Sequence, residues 1–167
     1  MAFFESHPDL VWLEEPRIIN TWNTMIMNAG GREEKFLAEI EQAIQGENIH
    51  GIKCERKEVG VGMESGVRKM HDGLAVIFIG NISEGPLKGY EIFIGAHPYG
   101  KHLAVSWYFT RTPKAESDLT VFDLEELSAY ASIIHHDVLD AVKKVMSELS
   151  QNFAGIDTKS KGILNIS

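Results

Sequence analysis

The chain has 167 residues, 44% of them hydrophobic and 24% charged, which suits one globular domain burying roughly 70% of the surface its unfolded form exposes and argues against wholesale disorder. Acidic residues outnumber basic ones 24 to 16, a net charge of −8, and an anionic surface repels phosphate backbones, so general nucleic-acid binding is disfavoured. Cys54 is the only cysteine; it forms no internal disulfide and builds no structural zinc site alone, which points to a reducing, cytoplasmic setting.

The first residues, MAFFESHPDLVWLEEP, show neither the basic start nor the apolar run of a secretion signal. The longest apolar stretch, Leu74 to Ile79, is far shorter than the ~20 residues that cross a bilayer, so no membrane association is expected. Residues 1–50 carry 3 basic and 9 acidic side chains, residues 51–112 carry 8 and 6, and residues 113–167 carry 5 and 9. The acid lies at the two ends, and the middle is slightly positive.

From Pro16 to Ala29 the apolar residues Ile18, Ile19, Trp22, Met25, Ile26 and Ala29 recur at threes and fours, which predicts a helix started by Pro16 and stopped by Gly30. A second helix is predicted over Arg32 to Gln45, with Phe36, Leu37, Ile40, Ala43 and Ile44 inward and Gly46 after it. Joined through Gly30-Gly31, the two read as an αα-hairpin.

From Ile49 to about Thr112 the period changes to two. Strands are expected at Ile52–Val61, Val67–Met70, Leu74–Gly80, Gly89–Pro98 and Lys101–Thr112, with His71-Asp72-Gly73 as a tight turn. A long helix follows, read as starting from a capping box of Asp123 and Glu126 and running through Leu127, Ala131, Ile134, Val138, Val142, Val145 and Leu149 to a stop at Gly155. The tail, Ile156 to Ser167, is expected to add an edge strand or stay loose, and residues 1–15 likewise. The order ααβββββα makes one α+β domain over residues 1–167: an antiparallel sheet of about five strands, preceded by an αα-hairpin and followed by one long helix packed on it.

The stretch IGAHPYGKHLA, residues 94 to 104, carries the most chemistry. A two-residue loop at Tyr99-Gly100 pairs residues whose numbers sum to 199. One face then receives Ala96/Leu103, Ile94/Val105, Ile92/Trp107 and Tyr90/Phe109, all apolar. The other receives His97/His102, Gly95/Ala104, Phe93/Ser106 and Glu91/Tyr108. Apolar residues on both sides of Leu74–Ile79 call for a cover on this second face as well, from the αα-hairpin or from a second copy of the chain. Gly95, Ala104 and Ser106 leave room beneath such a cover, with His97 and His102 on its rim, as in a small-ligand pocket lined also by Phe93, Glu91 and Tyr108. Directly opposed imidazoles lie close enough to share a divalent metal or a proton relay, but a catalytic zinc needs a third protein ligand and spacing supplies none. The plain alternative leaves both rings in solvent at a hairpin tip.

Three other stretches have both a chemical and a structural reading. In SIIHHDVLD, His136, Asp137 and Asp140 lie within one helical turn and suit a metal or proton site, or simply a polar outer face with a His–Asp pair. In VGVGMESGV the glycines at 60, 62 and 66 miss the dinucleotide-binding spacing by one residue. Arg56-Lys57 and Arg68-Lys69 would hold an anion if they faced each other, or guard a sheet edge. Met25, Met27, Met63 and Met70 are adaptable contacts or core filler. No GxSxG elbow, P-loop, HExxH or paired CxxC occurs.

These observations lead to an acidic cytoplasmic binding domain that self-associates, as a dimer, and holds a protein partner or small ligand at the 89–112 hairpin. The alternative is an enzyme using His97 and His102 for proton transfer or metal binding, with Glu91 or Tyr108 assisting. No cofactor is expected beyond that metal.

Overall fold

The structure, a computed structural model, describes residues 11–14, 18–49, 51–62, 75–83, 88–112 and 119–167. Strands β1 (Val11–Glu14) and β2 (Ile18–Ile26) precede helix α1 (Glu33–Glu47). Then come β3 (Ile52–Gly62), β4 (Ala75–Ile82), β5 (Tyr90–Tyr99) and β6 (His102–Arg111), the long helix α2 (Val121–Glu148), a 3-10 turn at Phe153–Gly155 and the short strand β7 (Lys161–Gly162). They form one sheet in the order β1-β3-β4-β5-β6-β2-β7, antiparallel throughout except that β1 joins β3 in parallel. The α+β class and the long C-terminal helix agree with expectation. The sheet is wider than the five strands expected, and the tail supplies its edge strand β7. The expected strand Val67–Met70 and the turn at His71-Asp72-Gly73 lie outside the described residues.

The αα-hairpin is not present, because residues 18–26 form a strand and α1 is the one helix before β3 among the described residues. The sequence IINTWNTMI is rich in β-branched and aromatic side chains, and its true period is two. Asn20, Trp22, Thr24 and Ile26 turn inward, with Asn20, Trp22 and Ile26 buried, while Asn23 and Met25 are exposed. Two polar residues on the inward side hid the alternation. Asn20 can be buried there because both ends of its amide are satisfied: Nδ2 donates to Ser160 Oγ at 2.6 Å, and Oδ1 accepts from the Leu164 amide at 3.1 Å.

Both helices pack on one face of the sheet, over a core that includes Trp22, Ile92, Ile94, Val105, Trp107 and Phe109. They run antiparallel: Arg32 and Lys35 at the start of α1 pair with Glu148 at the end of α2, and Glu39 pairs with Lys144. Arg56 on β3 reaches Glu34 and Glu41, fastening α1 to the sheet. The capping box of α2 uses Thr120 and Asp123, one turn earlier than Asp123 and Glu126: the Asp123 amide donates to Thr120 Oγ1, and the Thr120 amide donates to Asp123 Oδ2. The helix ends at Glu148, before Gly155.

The β5–β6 pairing joins residues whose numbers sum to 201, as in Ile94↔Trp107, Ala96↔Val105 and Tyr99↔His102. The two-residue loop is therefore Gly100-Lys101, with Gly100 at φ +60°. A shift of two positions keeps every side chain on its expected face but changes its partner: His97 lies opposite Ala104, Gly95 opposite Ser106, Phe93 opposite Tyr108 and Glu91 opposite Thr110.

The chain path requires the sheet to curl. Four strands separate β1 from β2, and five strand spacings in a flat sheet come to about 24 Å. Residues 15–17 alone link Glu14 to Ile18, and a link of that length reaches about 14 Å. The two sides of the sheet are drawn toward each other, as in a partly closed barrel.

Candidate functional site

The face away from the helices gathers all eight residues singled out in the sequence. Glu91, Phe93, Gly95 and His97 come from β5, and His102, Ala104, Ser106 and Tyr108 from β6. Three further positions, Thr21, Asn23 and Met25, come from β2, which pairs Thr21↔Tyr108, Asn23↔Ser106 and Met25↔Ala104. A helical reading of residues 18–26 concealed these three; the alternation of Asn20, Trp22, Thr24 and Ile26 was the signal that would have found them. Burial falls from the middle of the sheet outward: Phe93 and Gly95 are buried, Ala104, Ser106 and Tyr108 are half-buried, and Asn23 and Met25 are exposed. On β2, β5 and β6 this face carries a single charged side chain, Glu91. The acids of α1 and α2 lie on the opposite layer.

At the hairpin tip the turn after β2 is fastened to the loop between β5 and β6. The Gly30 amide donates to the Lys101 carbonyl at 2.9 Å, and the Asn28 amide donates to His102 Nδ1 at 3.0 Å. Gly30 fits because a Cβ there would come within 3.0 Å of the Lys101 carbonyl group. The His97 ring meets Tyr99 edge-on at 6.4 Å. Around this junction stand three large exposed side chains, Met25 (41%), Met27 (51%) and Tyr99 (56%).

His97 and His102 are diagonal neighbours on the sheet rather than directly opposed, and one ring nitrogen of His102 is already bonded to Asn28. Among the described residues no group of three His, Cys, Asp or Glu side chains is placed to hold a metal ion.

The SIIHHDVLD stretch divides between core and surface. His135 is fully buried: Nδ1 accepts from Trp107 Nε1 at 3.0 Å, Nε2 lies 2.7 Å from the Thr158 carbonyl, and the Trp22 and Trp107 rings meet it edge-on. That pattern fixes the neutral ring with its proton on Nε2. Burial pushes its pKa below the usual histidine value, with His136 adding to the effect against the bond to Thr158. His136 and Asp140 are exposed, whereas Asp137 is buried against Glu47 of α1, so the three do not share one outer face.

Comparison with protein-family models and with curated proteins returned no match. Burial, and secondarily Glu41, pushes the Cys54 thiol up to about 11, so at neutral pH it is protonated and a poor nucleophile. Arg56 is occupied by Glu34 and Glu41 rather than presented to an anion, and Arg68-Lys69 lie outside the described residues. Among the described residues no helix is long and apolar enough to cross a membrane.

Proposed function

We propose that the chain is an interaction domain that associates with a second copy of itself through the hairpin tip and the exposed rim of the helix-free face beside it. The observation that carries this reading is the gathering of Met25, Met27 and Tyr99 beside a face whose β2, β5 and β6 positions hold one charged side chain. Methionine and tyrosine are favoured in the centres of protein interfaces, where charged residues are depleted. Two copies each carrying −8 repel over most of their surfaces. The tip and its rim are where they approach with few like charges opposed, and a two-fold contact places the same patch on both sides.

Size-exclusion chromatography with light scattering tests the proposal. The native chain elutes with the mass of a dimer, and a Met27→Glu, Tyr99→Lys double variant elutes as a monomer with an unchanged circular dichroism spectrum. A native chain that stays monomeric over the whole concentration range, or a variant that still dimerises, overturns it.

A further inference from the structure

Most of the seam between α1 and α2 joins opposite charges: Arg32 and Lys35 with Glu148, and Lys144 with Glu39. At the far end the pattern reverses. Glu47 is the last residue of α1, at the negative pole of a helix whose final turn has no basic residue. It faces Asp137 of α2, which is 8% exposed and whose Oδ2 has no hydrogen-bond partner among the described residues. Asp140, on the same helix as Asp137, adds another negative group; Glu47 from α1 and Asp140 from α2 are the charged groups acting on it. Two carboxylates in contact, one of them buried, repel, whereas one proton between them turns repulsion into a hydrogen bond.

We propose that the Asp137–Glu47 contact is a proton-operated clasp, holding the C-terminal turn of α1 against α2 when one proton is shared and releasing that turn when the proton is lost to solvent. Burial first, then Glu47 and Asp140, push the Asp137 carboxyl up to about 7, so the change falls in the neutral range. The chain beyond the clasp is built to turn: Asn48 (φ 52°) and Gly51 (φ 83°), both left-handed, stand between α1 and β3. Release would loosen the packing of Ile44, the buried residue of that last turn.

Hydrogen–deuterium exchange of the peptide covering residues 40–49, corrected for the intrinsic pH dependence of exchange, tests the clasp at pH 6 and pH 8 on the full chain. In the native protein, protection falls several-fold from pH 6 to pH 8. In Asp137→Asn, and independently in Glu47→Gln, which alters an exposed side chain and leaves the core untouched, protection is the same at both pH values. Equal protection of the native protein at the two pH values overturns the proposal, as does a pH-dependent loss that persists in both variants.

Discussion

Trp107 of β6 donates its indole N–H to His135 of α2 at 3.0 Å, and His135 in turn meets the Thr158 carbonyl at 2.7 Å. A single ring thus links the middle of the sheet, the long helix and the C-terminal segment, all inside the core. Replacing His135 with Ala orphans a buried indole N–H and opens a cavity, and each effect costs ~1–3 kcal/mol or more. Urea denaturation of His135→Ala should show a loss of roughly 3–5 kcal/mol.

The pH profile of stability should contain two opposed contributions. His135 has a folded-state pKa below its unfolded value. Its contribution is therefore fully present above about pH 6.5 and is lost as pH falls from there. Asp137 has a folded-state value raised to about 7. Its contribution is present near pH 4 and is lost as pH rises toward 7, because over that range the folded state binds more protons than the unfolded one. The native protein shows the difference of the two. In Asp137→Asn only the histidine contribution remains, so the urea midpoint should rise between pH 5 and pH 7 more steeply than in the native protein; an identical slope would refute the assignment.

How much of this arrangement was legible in the sequence depended on whether one face of an element was uniformly apolar. The β5–β6 hairpin was readable because Ile92, Ile94, Ala96, Leu103, Val105, Trp107 and Phe109 alternate without interruption, so the faces were right even with the loop displaced from Tyr99-Gly100 to Gly100-Lys101. In β2 the inward Asn20 and Thr24 broke that uniformity, and the partners that make Asn20 tolerable lie 140 and 144 residues away, where no local pattern reports them. The site inherited this split: its β5 and β6 members were visible, and its β2 members were not. His135 was missed for a related reason, since a histidine inside a helix reads as polar until Trp107 is known to face it. The α2 cap was displaced because Thr120 and Asp123 satisfy the same spacing rule as Asp123 and Glu126, and only the direction of the backbone separates them.

That ambiguity is open to a direct test. Thr120→Ala and Asp123→Ala should each cost about 1 kcal/mol, with the double variant costing less than the sum because both remove the same reciprocal pair. Glu126→Ala, on an exposed position outside the box, should leave the thermal midpoint unchanged. A loss at Glu126 equal to that at Thr120 would instead place the helix start three residues later.

Gly80 and Tyr130 form a second coupled pair. A Cβ at Gly80 would stand 2.5 Å from the Tyr130 hydroxyl, and that hydroxyl is buried with no partner among the described residues. Gly80→Ala should therefore be destabilising through overpacking, by ~1–3 kcal/mol. Tyr130→Phe removes the crowding atom and a desolvated polar group together, so by itself it should be neutral or stabilising by up to about 1 kcal/mol. Combined with Gly80→Ala it should recover most of the loss, because the clash is with the hydroxyl and the ring carbon behind it stands 3.8 Å from the same Cβ. A double-mutant cycle from urea midpoints measures this coupling. Additive effects would show that the strain at Gly80 comes from some atom other than the Tyr130 hydroxyl.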